Sequence, residues 1–195
     1  FRRTYHYTWQ DIDLEFKSSN WIFSRKNAGI RSFGFYKAYQ LGLKVILTLD
    51  DDCYPIGDHY LETHLSNLDF KAAKSWFPTY PNPQFMYSRG FPYEIRNKLT
   101  VAVSHGLWSG SLDLDAKTEV KLPKLLNEQP YPATRQVIPE NYFFPMCSMN
   151  LAFKREVVPL MYFPLMGFDP QGKSWGINRY DDIWAGLFVK KICDH

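Results

Sequence analysis

Val45 to Leu49 is an unbroken run of apolar and β-branched residues that ends directly in three aspartates, within the stretch KVILTLDDDCYP from Lys44 to Pro55. A short apolar run between Gly42 and Pro55 predicts a buried parallel strand, because parallel strands are covered on both faces. Its carboxylates then fall at the strand's carboxyl end, where open α/β sheets place their ligands. Side chains alternate along an extended strand, so Asp50 and Asp52 are expected on one face and Asp51 on the other. Two carboxylates on one face suit a hard divalent cation, which also takes substrate phosphates. The competing reading is an acidic, solvated turn, although three adjacent acids repel one another and a turn needs only one.

The chain has 195 residues, the size of one domain with a proper core. Aromatic residues make up 17%, a high share that usually means core packing but also suits sugar or base sites. A net charge of +3, from 23 basic and 20 acidic residues spread evenly, argues against nucleic-acid binding. Cys53, Cys147 and Cys193 form no CxxC pair; they suggest neither a disulfide framework nor a zinc site and fit a reducing compartment. No apolar run approaches the ~18 residues of a membrane span. The chain opens on Phe1 and stops at His195 straight after a helical pattern, so an internal piece of a longer protein is expected.

Thr8 is positioned to cap a short helix, and Trp21 to Phe23 reads as a short strand. Ala28 to Leu41 has helical spacing and ends at Gly42, where a helix C-terminal glycine belongs. Asp58 is placed to cap a helix through about Asn67. Trp76 to Pro92, with four prolines, reads as a long ordered loop, and Ser109 to Pro132 as surface. Leu99 to Ser104, Tyr142 to Met146 and Met149 to Phe153 read as strands, and Arg155 to Phe163 as a helix interrupted at Pro159. The clearest helix starts at Asp181 or Asp182, where the dipole favours acids, and carries Trp184, Phe188 and Ile192 at i, i+4, i+8. The expected fold is α/β, a single domain over 1–195.

The aspartates admit two chemistries. In one, a metal on Asp50 and Asp52 bridges a nucleotide-sugar diphosphate and neutralises the leaving group. In the other, a phosphohydrolase, the first aspartate is the nucleophile and the second a general acid; Tyr54 stands where such enzymes usually carry Thr or Val. His105 and Trp108 in His105-Gly106-Leu107-Trp108 follow a strand and reach the same edge, His105 as a base or as a structural histidine. Asp181 and Asp182 are helix caps or carboxylates facing the site. Arg31, with Arg25 and Lys26, reaches a diphosphate or forms a solvated face. Arg89 and Arg96 bracket the aromatic loop and could clamp phosphate or carboxylate.

Six segments taken together carry more than any one motif: LDDDCYP, RGFPYEIR, VAVSHGLW, FPMCSMNLAF, YFPLMG and NRYDDIWAGLFVKKICDH. In this order, from about Arg31 to His195, they resemble the reversibly glycosylated polypeptides, also called UDP-arabinopyranose mutases. The resemblance implies a GT-A-type fold, a Rossmann-like mixed, mostly parallel sheet flanked by helices, binding a UDP-sugar with Mn²⁺ or Mg²⁺. It implies interconversion of UDP-arabinopyranose and UDP-arabinofuranose, with self-glycosylation on an arginine. The alternatives are transfer from another UDP-sugar, or a non-catalytic UDP-sugar-binding partner subunit.

By the same resemblance the metal and ribose side fall to Asp50 and Asp52, with Asp51 supporting and His195 completing the coordination. Arg89 matches the glycosylated arginine and Arg96 a second arginine that matters for activity. Because a guanidinium is normally protonated, Arg89 as acceptor needs a carboxylate, which Asp181 or Asp182 would supply. Homo- or hetero-oligomers, and a cytoplasmic location with the cytosolic face of the Golgi as one site, are implied as well. The chain departs from the family where Ser148 replaces a usual Gly, in Arg96-Asn97-Lys98-Leu99-Thr100, and in a longer Gly167 to Asn178 loop. These changes surround the sugar end rather than the metal end. The family's uracil-holding first strand is expected before Phe1, and its remaining segment after His195, so the domain is read as incomplete at both ends.

Overall fold

The computed structural model describes residues 3–73, 76, 87–108, 110, 114–121, 135–169, 171–174, 176–177 and 179–195. In chain order the elements are α1 (Trp9–Phe16), α2 (Arg31–Gln40), β1 (Val45–Leu49), α3 (Tyr60–Leu68), β2 (Lys71–Ala72), β3 (Leu99–Thr100), β4 (Val103–His105), α4 (Ala116–Lys121), β5 (Asn150–Lys154) and α5 (Asp181–Cys193), with 3₁₀ turns at Lys17–Ile22, Ala28–Ile30 and Arg155–Leu160. The class is mixed α/β, as the alternation of patterns predicts.

The main sheet has three strands in the order β1-β5-β4, and both ladders are antiparallel. This corrects the expectation of a mostly parallel sheet for the described residues. β1 and β4 point the same way but are separated by β5, which runs against both. Among the described residues β1 pairs only with β5, and its burial alternates, with Ile46 and Thr48 buried on one face and Val45, Leu47 and Leu49 partly exposed on the other. β5 is the strand covered on both faces: Leu151, Ala152 and Phe153 are all buried. An apolar run therefore identified the right segment and the wrong pairing, because run length reports burial and not direction.

Register sorts the two faces. Ile46 opposes Phe153 and Thr48 opposes Leu151 on one face, while Leu47 and Ser104 flank Ala152 on the other. The first face carries the core: Phe35 from α2 meets Phe153 edge-on at 5.1 Å and Phe163 at 5.5 Å. Ala185 and Val189 from α5 join the same cluster with Met146, Val157 and Met161. α3 covers the second face. A smaller cluster of Ile12, Phe23 and Phe33 joins α1 to α2.

Two helix boundaries follow their expected signals, whereas Asp58 is not the cap of α3, which starts at Tyr60 after His59. Thr8 donates its N–H and hydroxyl to Asp11 at 2.5 and 2.8 Å, and Gly42 follows α2 with φ 73°, the left-handed conformation that favours glycine. Trp21 to Phe23 is not a strand, since its first two residues end a 3₁₀ turn, and Tyr142 to Met146 has no ladder. Leu99 to Ser104 divides into β3, paired with β2, and β4, paired with β5. Most of the proline-rich loop and most of 109–132 lie outside the described residues.

On α5 the helical spacing holds, but the row Trp184, Phe188, Ile192 stays about half exposed, and Ala185, Gly186 and Val189 are the buried side. A Cβ on Gly186 would stand 2.5 Å from Met146 Cβ, so the missing side chain permits this close approach. No helix among the described residues is long and apolar enough to cross a membrane.

Candidate functional site

The antiparallel register collects chemistry at one edge of the main sheet. Leu49, the last residue of β1, opposes Asn150, the first of β5, and His105, the last of β4, opposes Leu151. Asp50, Ser148 and His105 thus emerge together, and α2 and α5 bring their first turns to the same edge.

β1 ends before the aspartates, and the Cys53 N–H closes a turn on the Asp50 carbonyl at 3.2 Å. The strand's alternation does not extend through Asp50–Asp52; this corrects the shared-face argument. Asp50 forms an ion pair with Arg31, both side chains about three-quarters covered, while Asp51 and Asp52 are exposed. The Cys53 thiol lies 3.7 Å from Asp52; burial and the neighbouring aspartates push its pKa up.

Arg31 opens α2 and reaches two partners, Asp50 through Nη2 and Ser148 Oγ through Nη1 at 2.6 Å. Ser148 in turn donates its N–H and its hydroxyl to Asp182 Oδ2, both at 3.0 Å. The other Asp182 oxygen accepts the Ile183 N–H at 2.9 Å. Asp182 is therefore occupied as a clamp between α5 and the turn before β5. Asp181 differs: it is 4% exposed, its Oδ2 has no partner, and that oxygen lies 3.3 Å from where a Gly29 Cβ would stand. Burial first, and the adjacent Asp182 second, raise its pKa above the usual carboxylate value.

His105 accepts the Cys147 N–H on Nε2 at 3.3 Å. Burial, reinforced by His64 and opposed by Asp182, lowers its pKa to about 4. Trp108 packs at 5.8 Å from the His105 ring, and its buried indole N–H is unpartnered. The loop carrying them is held from below by a network that sequence reasoning missed. Asn150 donates to the Leu107 carbonyl at 2.9 Å and accepts from Tyr60 at 3.0 Å. His64, 4% exposed, joins Asn150 Oδ1 to Ser104 Oγ at 2.8 and 2.9 Å. Because the amide oxygen of Asn150 can only accept, His64 Nε2 donates to it, and in that tautomer Nδ1 accepts the Ser104 hydroxyl proton, while Asn67 donates to Ser104 Oγ at 3.0 Å. Gly106 leaves space for the network, as a Cβ there would lie 2.1 Å from Asn150 Nδ2. The available signal was His64 and Asn67 three residues apart on a helix, hence on one face.

Arg89 and Arg96 belong to a separate loop whose described contacts are internal. The Phe91 N–H bonds the Ser88 carbonyl at 3.1 Å with Gly90 at φ 91°, the pattern of a type II turn with exposed Arg89 at its second position. Arg96 is stacked between Tyr87 at 4.2 Å and Tyr93 at 4.1 Å, and it donates to the Phe91 carbonyl at 2.9 Å. The structure does not bring Arg89 into an ion pair with Asp181 or Asp182.

His195 closes the far end of α5, about 20 Å from Asp181 by helix rise, and it is not brought to Asp50. Among the described residues no three His, Cys, Asp or Glu side chains converge on one point. One or two of the Asp50–Asp52 carboxylates would suit a Mg²⁺-type ion whose remaining ligands are phosphates and water.

An α/β sheet edge that gathers a carboxylate turn, a paired arginine and a helix-borne acidic pair is a candidate ligand-binding edge. The sequence matches the model of the reversibly glycosylated polypeptides over residues 3–195, and the chain belongs to that family. It is 41% identical over 182 residues to UDP-arabinopyranose mutase 1 of Arabidopsis thaliana, an alignment covering 88% of this chain and 48% of that one. To UDP-arabinopyranose mutase 3 of the same plant it is also 41% identical, and to UDP-arabinopyranose mutase 1 of Oryza sativa subsp. japonica 38%, with the same coverage. The chain spans about half the length of the curated relatives it matches.

Proposed function

We propose that this protein binds a UDP-sugar with Mn²⁺ or Mg²⁺ and interconverts UDP-arabinopyranose and UDP-arabinofuranose. The observation that carries the reading is the 38–41% identity to proteins named for that reaction, across 182 residues. The site supports it in detail. Asp52, with the free oxygen of Asp50 and with Asp51 beside them, would hold the cation, whose chemistry is to neutralise the diphosphate. Arg31 holds Asp50 in place, and the unpartnered Trp108 N–H is a donor for a substrate oxygen. Arg89, exposed on its turn, is the acceptor for self-glycosylation, and the protein works in an oligomer with itself or with other family members.

The test is incubation with UDP-arabinopyranose and Mn²⁺, followed by chromatography of the nucleotide sugars. A furanose product is expected, and Asp52→Ala should abolish both this product and metal-dependent labelling of the protein. Labelling of that variant at the wild-type level would refute the metal assignment. One observation favours a second reading, a UDP-sugar-binding subunit without turnover: the oxygens of Asp182 are engaged and Asp181 is buried, so neither meets Arg89. Measurable binding with unchanged substrate would select it.

A further inference from the structure

Among the unassigned groups, the buried hydroxyl of Ser148, 1% exposed, touches the most elements. The Arg31 guanidinium has only donors, so Ser148 Oγ must accept from it at 2.6 Å. The single hydroxyl proton is then committed to Asp182 Oδ2 at 3.0 Å. Neither bond can reverse. The result is a fixed chain in which Arg31 donates one way to Asp50 and the other way to Ser148, which passes its own proton to Asp182, linking the turn after β1, the start of α2, the turn before β5 and the start of α5.

We propose that the Ser148 hydroxyl is a positioning element that couples the two ends of the site, so that a change at Asp182 is felt at Asp50 through Arg31. This rests on the functional reading above, in which Asp50 lies at the metal and diphosphate end. Without the hydroxyl, the Ser148 N–H still reaches Asp182, but the second arm of Arg31 has no partner. The guanidinium is then free to turn its whole fork onto Asp50, the geometry a carboxylate favours, and Asp182 loses its connection to the metal end.

The test is a double-mutant cycle on Mn²⁺-dependent binding of UDP, followed by calorimetry. UDP lacks the arabinose of the full substrate, so an effect of Asp182 on its binding reports transmission through the protein rather than contact with that sugar. Asp182→Asn is expected to weaken UDP binding about five- to tenfold alone, and less than about twofold when combined with Ser148→Ala, a coupling within the range for side chains in one network. Ser148→Thr, which keeps the hydroxyl, should retain the coupling. Additive effects within about twofold overturn the proposal. In the ligand-free chain, the Arg31 Nη resonances should show hindered rotation in the wild type and free rotation in Ser148→Ala; identical spectra also overturn it. Failure of the wild type to bind UDP, with those resonances differing as expected, overturns the functional reading and leaves the structural link standing.

Discussion

The ring nitrogen Nε2 of His105 accepts the backbone N–H of Cys147 at 3.3 Å, and this bond exists only when that nitrogen carries no proton. With a folded pKa of about 4 against 6.5 for the free side chain, the unfolded chain binds more protons between these values. Stability is therefore complete above pH 6.5 and falls as pH drops towards 4, by up to about 3 kcal/mol from this residue. Urea denaturation at pH 7, 5.5 and 4.5 should show the loss, and His105→Gln should flatten it. An equally steep slope in the variant would sink the assignment.

Asp181 follows the opposite rule. Its folded pKa is raised, mainly by burial, so its favourable contribution is present below the unfolded value and is lost as pH rises through the folded one. Asp181→Asn keeps the shape and removes the charge. The variant is expected to be more stable than wild type at pH 7, by roughly 1 kcal/mol or more, with the gain shrinking towards pH 4. A gain of the same size at both pH values, or a loss at pH 7, would show that burial of the charge is not what matters.

Arg96 is held by two tyrosine rings and the Phe91 carbonyl, which makes it a brace for the turn that displays Arg89. Lysine keeps the charge and loses the flat guanidinium, so Arg96→Lys should not rescue the loop. Arg96→Lys and Arg96→Ala are both expected to reduce labelling at Arg89 by about tenfold, with the change in global stability within about 2 kcal/mol. Mass spectrometry of the peptide containing Arg89 checks the first and thermal unfolding the second. Full labelling in Arg96→Lys would mean that charge alone suffices.

Much of this arrangement is legible in the residues. The Thr8 cap, the Gly42 stop, β1 and the α5 start each depend on a local signal within a few positions. The partner of β1 does not, because direction is settled by Asn150–Lys154, about a hundred residues away, and an apolar run is the same word in either orientation. The aspartates were identified, but their geometry was not: a turn at Asp50 overrides the alternation that would have paired Asp50 with Asp52. Ser148 could be noticed as a departure from its family, yet its role depends on Arg31 and Asp182, which no spacing connects to it. His195 was expected beside the aspartates because the fold implied by the resemblance often uses a late histidine; the length of α5 separates it from the acidic pair at the helix start.

The contact between Gly186 and Met146 acts as a mechanical detent. Slipping α5 by one residue would move it about 1.5 Å and turn it by about 100°, so any other side chain arriving opposite Met146 would collide with it, and Asp182 would swing away from Ser148. Position along the helix axis and rotation about it are thus set by an absence of atoms. The same setting holds Trp184 and Phe188 of the outward row against the hollow they share with Pro164, Leu165 and Met166, so one contact on the buried side also fixes what the other side presents.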